Sequence, residues 1–211
     1  MRTPDRSFLA AADVALDLLA DPAVEARWAA DSVLERMTVG MLACHLGRQL
    51  VRAAEILPVP ANAAPLDAPE EHYRRAAWVR APSLDDPAND RSTDAAEAEA
   101  GPGPMLDRCR GARREVGQLL EAGGAQDVVT IPWQGWSLRR EDFLLTRLVE
   151  VVVHSDDLAR SVGVATPEFP RDVAGPVLHL LVELSAERHG QAAIVSALAR
   201  RERMPDTISA F

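Results

Sequence analysis

Apolar positions recur at helical spacing along residues 7–20 (SFLAAADVALDLLA), where Phe8, Ala12, Ala15 and Leu19 fall on one face behind Ser7. This pattern predicts an amphipathic helix capped by that serine. A second helix is expected after Thr38, a suitable N-cap, running through VGMLACHLGRQLVRAAEIL to Leu57, where Pro58 and Pro60 stop it. It carries His45 in its second turn. Residues 105–122 restore the helical period through Leu106, Cys109, Val116 and Leu119 or Leu120, with Gly123-Gly124 as the C-cap. The run VVTIPWQGW is β-branched but broken by Pro132 and Gly135, so it predicts an extended connector or at best a single edge strand. Ser137 then caps a further helix, with Glu141 and Asp142 in a first turn where the macrodipole favours anions, extending to about Ser161. After the turn GVATPEFP, two more helical stretches are expected over roughly 171–188 and 190–202, hinged near His189-Gly190.

Between Pro58 and Pro104 the pattern lapses. Eight of the fifteen prolines fall in this window, mixed with Asp, Asn and Ala, which predicts a long irregular insertion serving as a lid, a partner loop or a disordered excursion. There is no internal repeat. Six helices with almost no strand make an all-α protein, most simply a four-helix bundle with a C-terminal helical appendage. The expected division is residues 1–165 for the bundle and 166–211 for the extension.

Composition narrows the functional classes. Apolar residues at 47% and charged residues at 26% are globular values. The net charge of -9 would repel a phosphate backbone, so nucleic acid and acidic membrane surfaces are disfavoured as partners and a small molecule is favoured. No apolar run is long enough to span a bilayer, and Asp13 and Asp17 interrupt the only segment resembling a leader, so a cytoplasmic location is expected. Cys44 and Cys109 form no CxxC pair and are expected to be reduced core residues. All 23 basic residues are Arg, which together with abundant Ala reads as the codon bias of a GC-rich genome.

The segment REDFLLTRLVEVVVHSDDLARS holds the chemistry. At 100° per residue, Arg147, Glu150, His154 and Asp157 fall within about 80° of arc, in line with Phe143 and Ser161, on a helix otherwise filled by Leu, Val and Ala. Such a helix should be largely buried. The stripe is either its one solvated face, laced by ordinary i,i+3 and i,i+4 pairs, or a set of groups turned into the bundle. In the second case Glu150 and His154, one turn apart, can share a metal ion. A third ligand must come from another helix, and His45, between Leu42 and Leu46, is the candidate. A lone histidine on an apolar face is ordinarily a hydrogen-bonded core residue; two His and one Glu together are a catalytic ligand set for zinc that leaves a position open.

The segments MTVGMLACHLGRQ and TRLVEVVVHSDDLARSVG resemble the two signature regions of the DinB-like family of mycothiol-dependent enzymes that includes the mycothiol-dependent maleylpyruvate isomerase N-terminal domain. The family pattern is a Thr-Val capped helix with one His, then R-x-x-E-x-x-x-H-x-x-D-L-A. Here it reads Thr38-Val39 and His45, then Arg147, Glu150, His154, Asp157, Leu158 and Ala159. The resemblance implies a DinB-like four-helix bundle that binds a divalent metal, zinc above all, through His45, Glu150 and His154. It also implies mycothiol as a cofactor, held by the metal as thiolate to attack a small electrophile in a transferase or isomerase reaction. In that scheme Asp157 accepts the second imidazole proton of His154 and Arg147 binds a carboxylate of substrate or thiol, while Arg48 and Gln49, one turn beyond His45, either pair along the helix surface or line the cavity and contact the cofactor. The chain departs from that isomerase in its short stretch after Pro170 and in its long Pro-rich window, which can shape a pocket for a different substrate.

Two other functions use the same three ligands: a non-catalytic helical protein that keeps the metal for stability or ligand sensing, and a hydrolase in which the metal activates water with Asp157 as base. The remaining features read as structural. Cys44 points about 100° away from its neighbour His45 on the helix and belongs to the core. His179 with Glu183, and His189 at its hinge, lack further partners. Trp133 and Trp136 either wall a pocket or pack at the N-terminus of the helix that follows.

Overall fold

The computed structural model describes residues 1–211. Its elements in chain order are α1 (Thr3–Leu19), α2 (Pro22–Ala26), α3 (Val39–Ile56), α4 (Pro69–Arg75), α5 (Ser92–Ala98), α6 (Pro102–Glu121), β1 (Val128–Ile131), β2 (Trp136–Arg139), α7 (Arg140–Val162), α8 (Arg171–His189) and α9 (Gln191–Ala199). The long helices α1, α3, α6 and α7 pack around one core, α1 and α3 each touching both α6 and α7, so the expected four-helix bundle is present. Phe8, Leu42, Leu46, Val116, Phe143, Leu144 and Leu158 are fully buried at its centre. Helix α8 packs against α1, α4 and α7, and α9 folds back on α8. No helix is long and apolar enough to cross a membrane.

Local signals explain most boundaries. The Thr38 hydroxyl accepts from the Met41 N–H at 3.2 Å and starts α3. Gly163, at φ 77°, ends α7 in the left-handed region, where the Gly N–H returns to the Ala159 carbonyl at 2.9 Å. Helices α3 and α6 come unusually close at Gly47, where a Cβ would sit 2.4 Å from Cys109 Sγ.

Three expectations are corrected. Helix α1 begins at Thr3, not behind Ser7, because the Arg2 N–H donates to Asp5 Oδ2 and Pro4 tolerates the first turn, where no N–H is needed. Ser7 is buried inside the helix, donating to the Thr3 carbonyl and to Asp172. The connector before α7 is a hairpin, with Val128–Ile131 antiparallel to Trp136–Arg139 and Gly135 at φ 80° in the turn. Ser137 therefore lies in β2, opposite Thr130, and α7 starts at Arg140. The Pro-rich window is not irregular throughout. It folds α4 and α5 and short 3-10 turns at Ala77–Arg80 and Pro87–Asn89, and Pro69 and Pro87 open their elements, where the missing N–H costs nothing. The chain thus has nine α-helices where the periodicity predicts six.

Candidate metal centre

Helices α3 and α7 lie face to face and bring His45 against the polar stripe of α7. His45 Nε2 and His154 Nε2 each lie 3.4 Å from the same oxygen, Glu150 Oε2. The two rings meet edge to face, centroids 4.8 Å apart. One ligand atom from each of the three residues lies within 4.8 Å of the other two. The stripe is turned into the bundle: Arg147 is buried, the side chains of Glu150, His154 and Asp157 are 18–20% exposed, and Glu150 and His154 line a cavity.

Both imidazoles are held from behind. His154 Nδ1 lies 3.0 Å from Asp157 Oδ2, and His45 Nδ1 lies 3.2 Å from Asp94 Oδ1. A proton on each Nδ1, shared with its carboxylate, leaves both Nε2 lone pairs aimed at an ionised carboxylate oxygen. Three acceptors converging on one point repel each other unless a cation lies among them, so the donor set fits a divalent metal. With no metal, a proton serves. Desolvation opposes charge on His154, but its bonds to Asp157 and Glu150 outweigh it and push the imidazole up to about 9. Burial raises Glu150, yet hydrogen bonds from His154 and His45 and the nearby Arg147 hold its carboxyl well below the usual carboxylate range.

Asp94 comes from α5, inside the Pro-rich window, and was not singled out in the sequence. It is 2% exposed. Arg48 carries it there: its Nη2 lies 2.8 Å from Asp94 Oδ1 and from Glu97 Oε2, and Arg108 also donates to Glu97. Burial works against the charge of Asp94, but His45 and Arg48 outweigh it and lower its pKa. Arg48 reaches the cavity wall with its guanidinium already committed to α5. Gln49 lies behind the wall, fully buried, donating to the His45 carbonyl at 2.9 Å and accepting from Arg147 Nη1 at 2.5 Å.

The cavity above the cluster has a volume of about 360 Å³. His45, Glu150, His154 and Arg147 line it, with Trp78, Trp133 and Phe211 contributing aromatic wall. Trp136 is not on this wall; its indole N–H donates to His72 Nδ1 at 3.2 Å and ties β2 to α4. His72 does line the cavity, and it carries no periodic signal because α4 is only seven residues long. The Asp94–Glu97 spacing on an Ala-rich stretch was the one available hint of α5. Cys44 is buried in the core, where burial pushes its thiol up to about 12, and Cys109 lies in the core with it. His179 and Glu183 are exposed, and His189 pairs with the Ser209 carbonyl at 2.8 Å.

Searches among curated proteins and among solved structures each return no match. The sequence profile of the mycothiol maleylpyruvate isomerase N-terminal domain family matches residues 9–159, a span that contains all three converging ligands and both carboxylates behind them. The chain belongs to that family.

Proposed function

We propose that this protein is a metal-dependent enzyme that uses a low-molecular-weight thiol, mycothiol by family, in a transferase or isomerase reaction on a small electrophile. The observation that carries this is the convergence of His45 Nε2, His154 Nε2 and Glu150 Oε2 at the floor of an open cavity. His45, Glu150 and His154 would hold the ion, and zinc suits a His₂Glu set. When bound, the metal would supply the positive charge that keeps a thiol deprotonated at neutral pH.

The chain's own groups do the rest. Asp94 and Asp157 fix the two imidazoles in the tautomer that presents Nε2. Arg147, braced by Gln49, presents positive charge to a bound substrate. The aromatic wall of Trp78, Trp133 and Phe211 limits water around the reacting groups. A purely structural metal site is ordinarily closed by four protein ligands, and three ligands beside a cavity favour catalysis over that role. Cys44 and Cys109 are free and buried, which suits a reducing compartment such as the cytoplasm.

The test is elemental analysis of dialysed protein beside His45→Ala and His154→Ala, followed by thiol-consumption assays with simple electrophiles. Near-stoichiometric metal that both substitutions abolish, with thiol turnover that needs the metal, is the expected result. A parent that stays metal-free after zinc is offered, or that turns over equally well without thiol, would sink the proposal.

A further inference from the structure

Phe211 stands between two voids. On one side is the cavity that holds His45, Glu150 and His154. On the other is a groove of about 270 Å³ lined by Tyr73, Val79, Leu184 and Ala210, and by Arg74 and Glu187, which pair with each other. The wall between them alternates along the chain. His72 and Trp78 line the cavity, their neighbours Tyr73 and Val79 line the groove, and Phe211 alone lines both.

The ring of Phe211 is gripped by that wall. It meets Trp78 edge to face with centroids 5.0 Å apart and lies tilted on Tyr73 at 5.2 Å. Aromatic pairs at these separations attract beyond the area they bury, so the ring is held where it closes the gap. The backbone that carries it is held by other means. Residues 205–211 make no backbone–backbone hydrogen bond. Two side chains one turn apart on α8 hold them instead: Ser185 Oγ donates to the Ile208 carbonyl at 2.6 Å, and His189 Nε2 donates to the Ser209 carbonyl at 2.8 Å. Both bonds end on main-chain oxygens, so the segment keeps its path when the Phe211 ring is removed.

A cavity of about 360 Å³ is at the small end of ligand sites. We propose that Phe211 is a specificity-determining residue that sets the length of the molecule received beside His45, Glu150 and His154, its ring closing the cavity against anything longer than a single-ring group. A smaller side chain there joins the cavity to the groove. Five of the eight residues lining the groove are apolar, so the length gained suits an apolar extension of the ligand. This rests on the cavity being the substrate site, as proposed above.

The experiment titrates the full chain with two uncharged probes, benzyl alcohol and its two-ring homologue 4-phenylbenzyl alcohol, by calorimetry and tryptophan fluorescence. Each titration is run on zinc-treated and on chelator-treated protein. The parent is expected to bind benzyl alcohol and to bind the longer alcohol no more tightly, despite its larger apolar surface. Phe211→Ala should bind the longer alcohol at least about tenfold more tightly than the parent does, with benzyl alcohol within about threefold and the melting temperature unchanged. Phe211→Trp, which keeps a ring in the gap, should discriminate as the parent does. Ala210→Trp added to Phe211→Ala refills the groove alone and should cancel the gain, which general loosening of the segment would not do. Met204→Ala, on the same stretch but exposed and outside both voids, should match the parent. Tighter binding of the longer alcohol by the parent, no saturable binding or no gain in Phe211→Ala, or a gain that survives Ala210→Trp would each overturn the proposal. Metal content is read on the same preparations. Metal uptake with a length preference indifferent to Phe211 defeats only the partition, and a Phe211-dependent preference in a chain that never takes up metal defeats only the metal-dependent reaction.

Discussion

Asp94 and His45 stand 49 residues apart in the chain and meet at 3.2 Å, so the short helix α5 fixes the orientation of an imidazole on the bundle helix α3. The Pro-rich window is thereby part of the centre. Replacing Asp94 by Asn keeps the volume and removes the charge that holds the Nδ1 proton in place. Asp94→Asn is expected to weaken metal affinity by about 10–100-fold with the helical content intact, the usual scale for a group that orients a ligand. Competition with a chromogenic chelator measures it, and an unchanged affinity would reduce Asp94 to a partner of Arg48.

Arg48 does the same work from the other side, tying Asp94 and Glu97 of α5 to α3. Arg48→Met leaves the buried Asp94 carboxylate without its guanidinium, a loss that costs about 3–5 kcal/mol where it cannot be relieved. The cheaper outcome is that α5 detaches from α3. Hydrogen exchange should therefore rise across residues 92–98 in this variant while the amides of α3 and α7 keep their protection. Uniform exchange in parent and variant would show that α5 is held by other contacts.

How much of this was legible in the sequence follows from the range of each interaction. Helix α3 was readable because Thr38 and Pro58 mark its ends locally, and the stripe of α7 because Arg147, Glu150, His154 and Asp157 obey one helical period. Ser137 misled because a serine before an apolar run is a cap signal, whereas pairing of Val128–Ile131 with Trp136–Arg139 is decided by cross-strand packing. Asp94 and His72 were hidden for another reason. Their helices have seven residues each, too few for a period, and their partners are set by the path of the chain over the bundle. Arg52 carries no local signal, because only the fold brings its guanidinium over the Trp133 ring.

The close approach of α3 and α6 at Gly47 makes a steric prediction. A methyl group there would lie 2.4 Å from Cys109 Sγ, which is fully buried and itself 3.6 Å from Met105 Sδ. Overpacking costs about 1–3 kcal/mol, against roughly 1 kcal/mol of improved helix propensity for Ala over Gly. Gly47→Ala should therefore lower the melting temperature by a few degrees, and the added substitution Cys109→Ala should make the same change stabilising. A double-mutant cycle by thermal denaturation decides it: additive effects would mean that the helices adjust without contact at this point.

His72 supplies a pH dependence of folding stability. It is 4% exposed, its Nδ1 accepts from the Trp136 indole N–H, and so its proton sits on Nε2. Burial, aided by the charge of Arg147, pushes the imidazole down to about 4 from the 6.5 of a free side chain. The folded protein thus resists protonation that the unfolded chain accepts. The contribution of His72 to stability is fully present above pH 6.5, declines as pH falls, and is lost below about 4. Over that window the shift corresponds to about 3 kcal/mol. His72→Gln, whose amide oxygen can still accept from Trp136, should flatten this part of the profile while carboxylate effects at lower pH persist. Urea unfolding midpoints measured across the window in both proteins provide the comparison, and parallel profiles would show that His72 titrates as an ordinary solvated histidine.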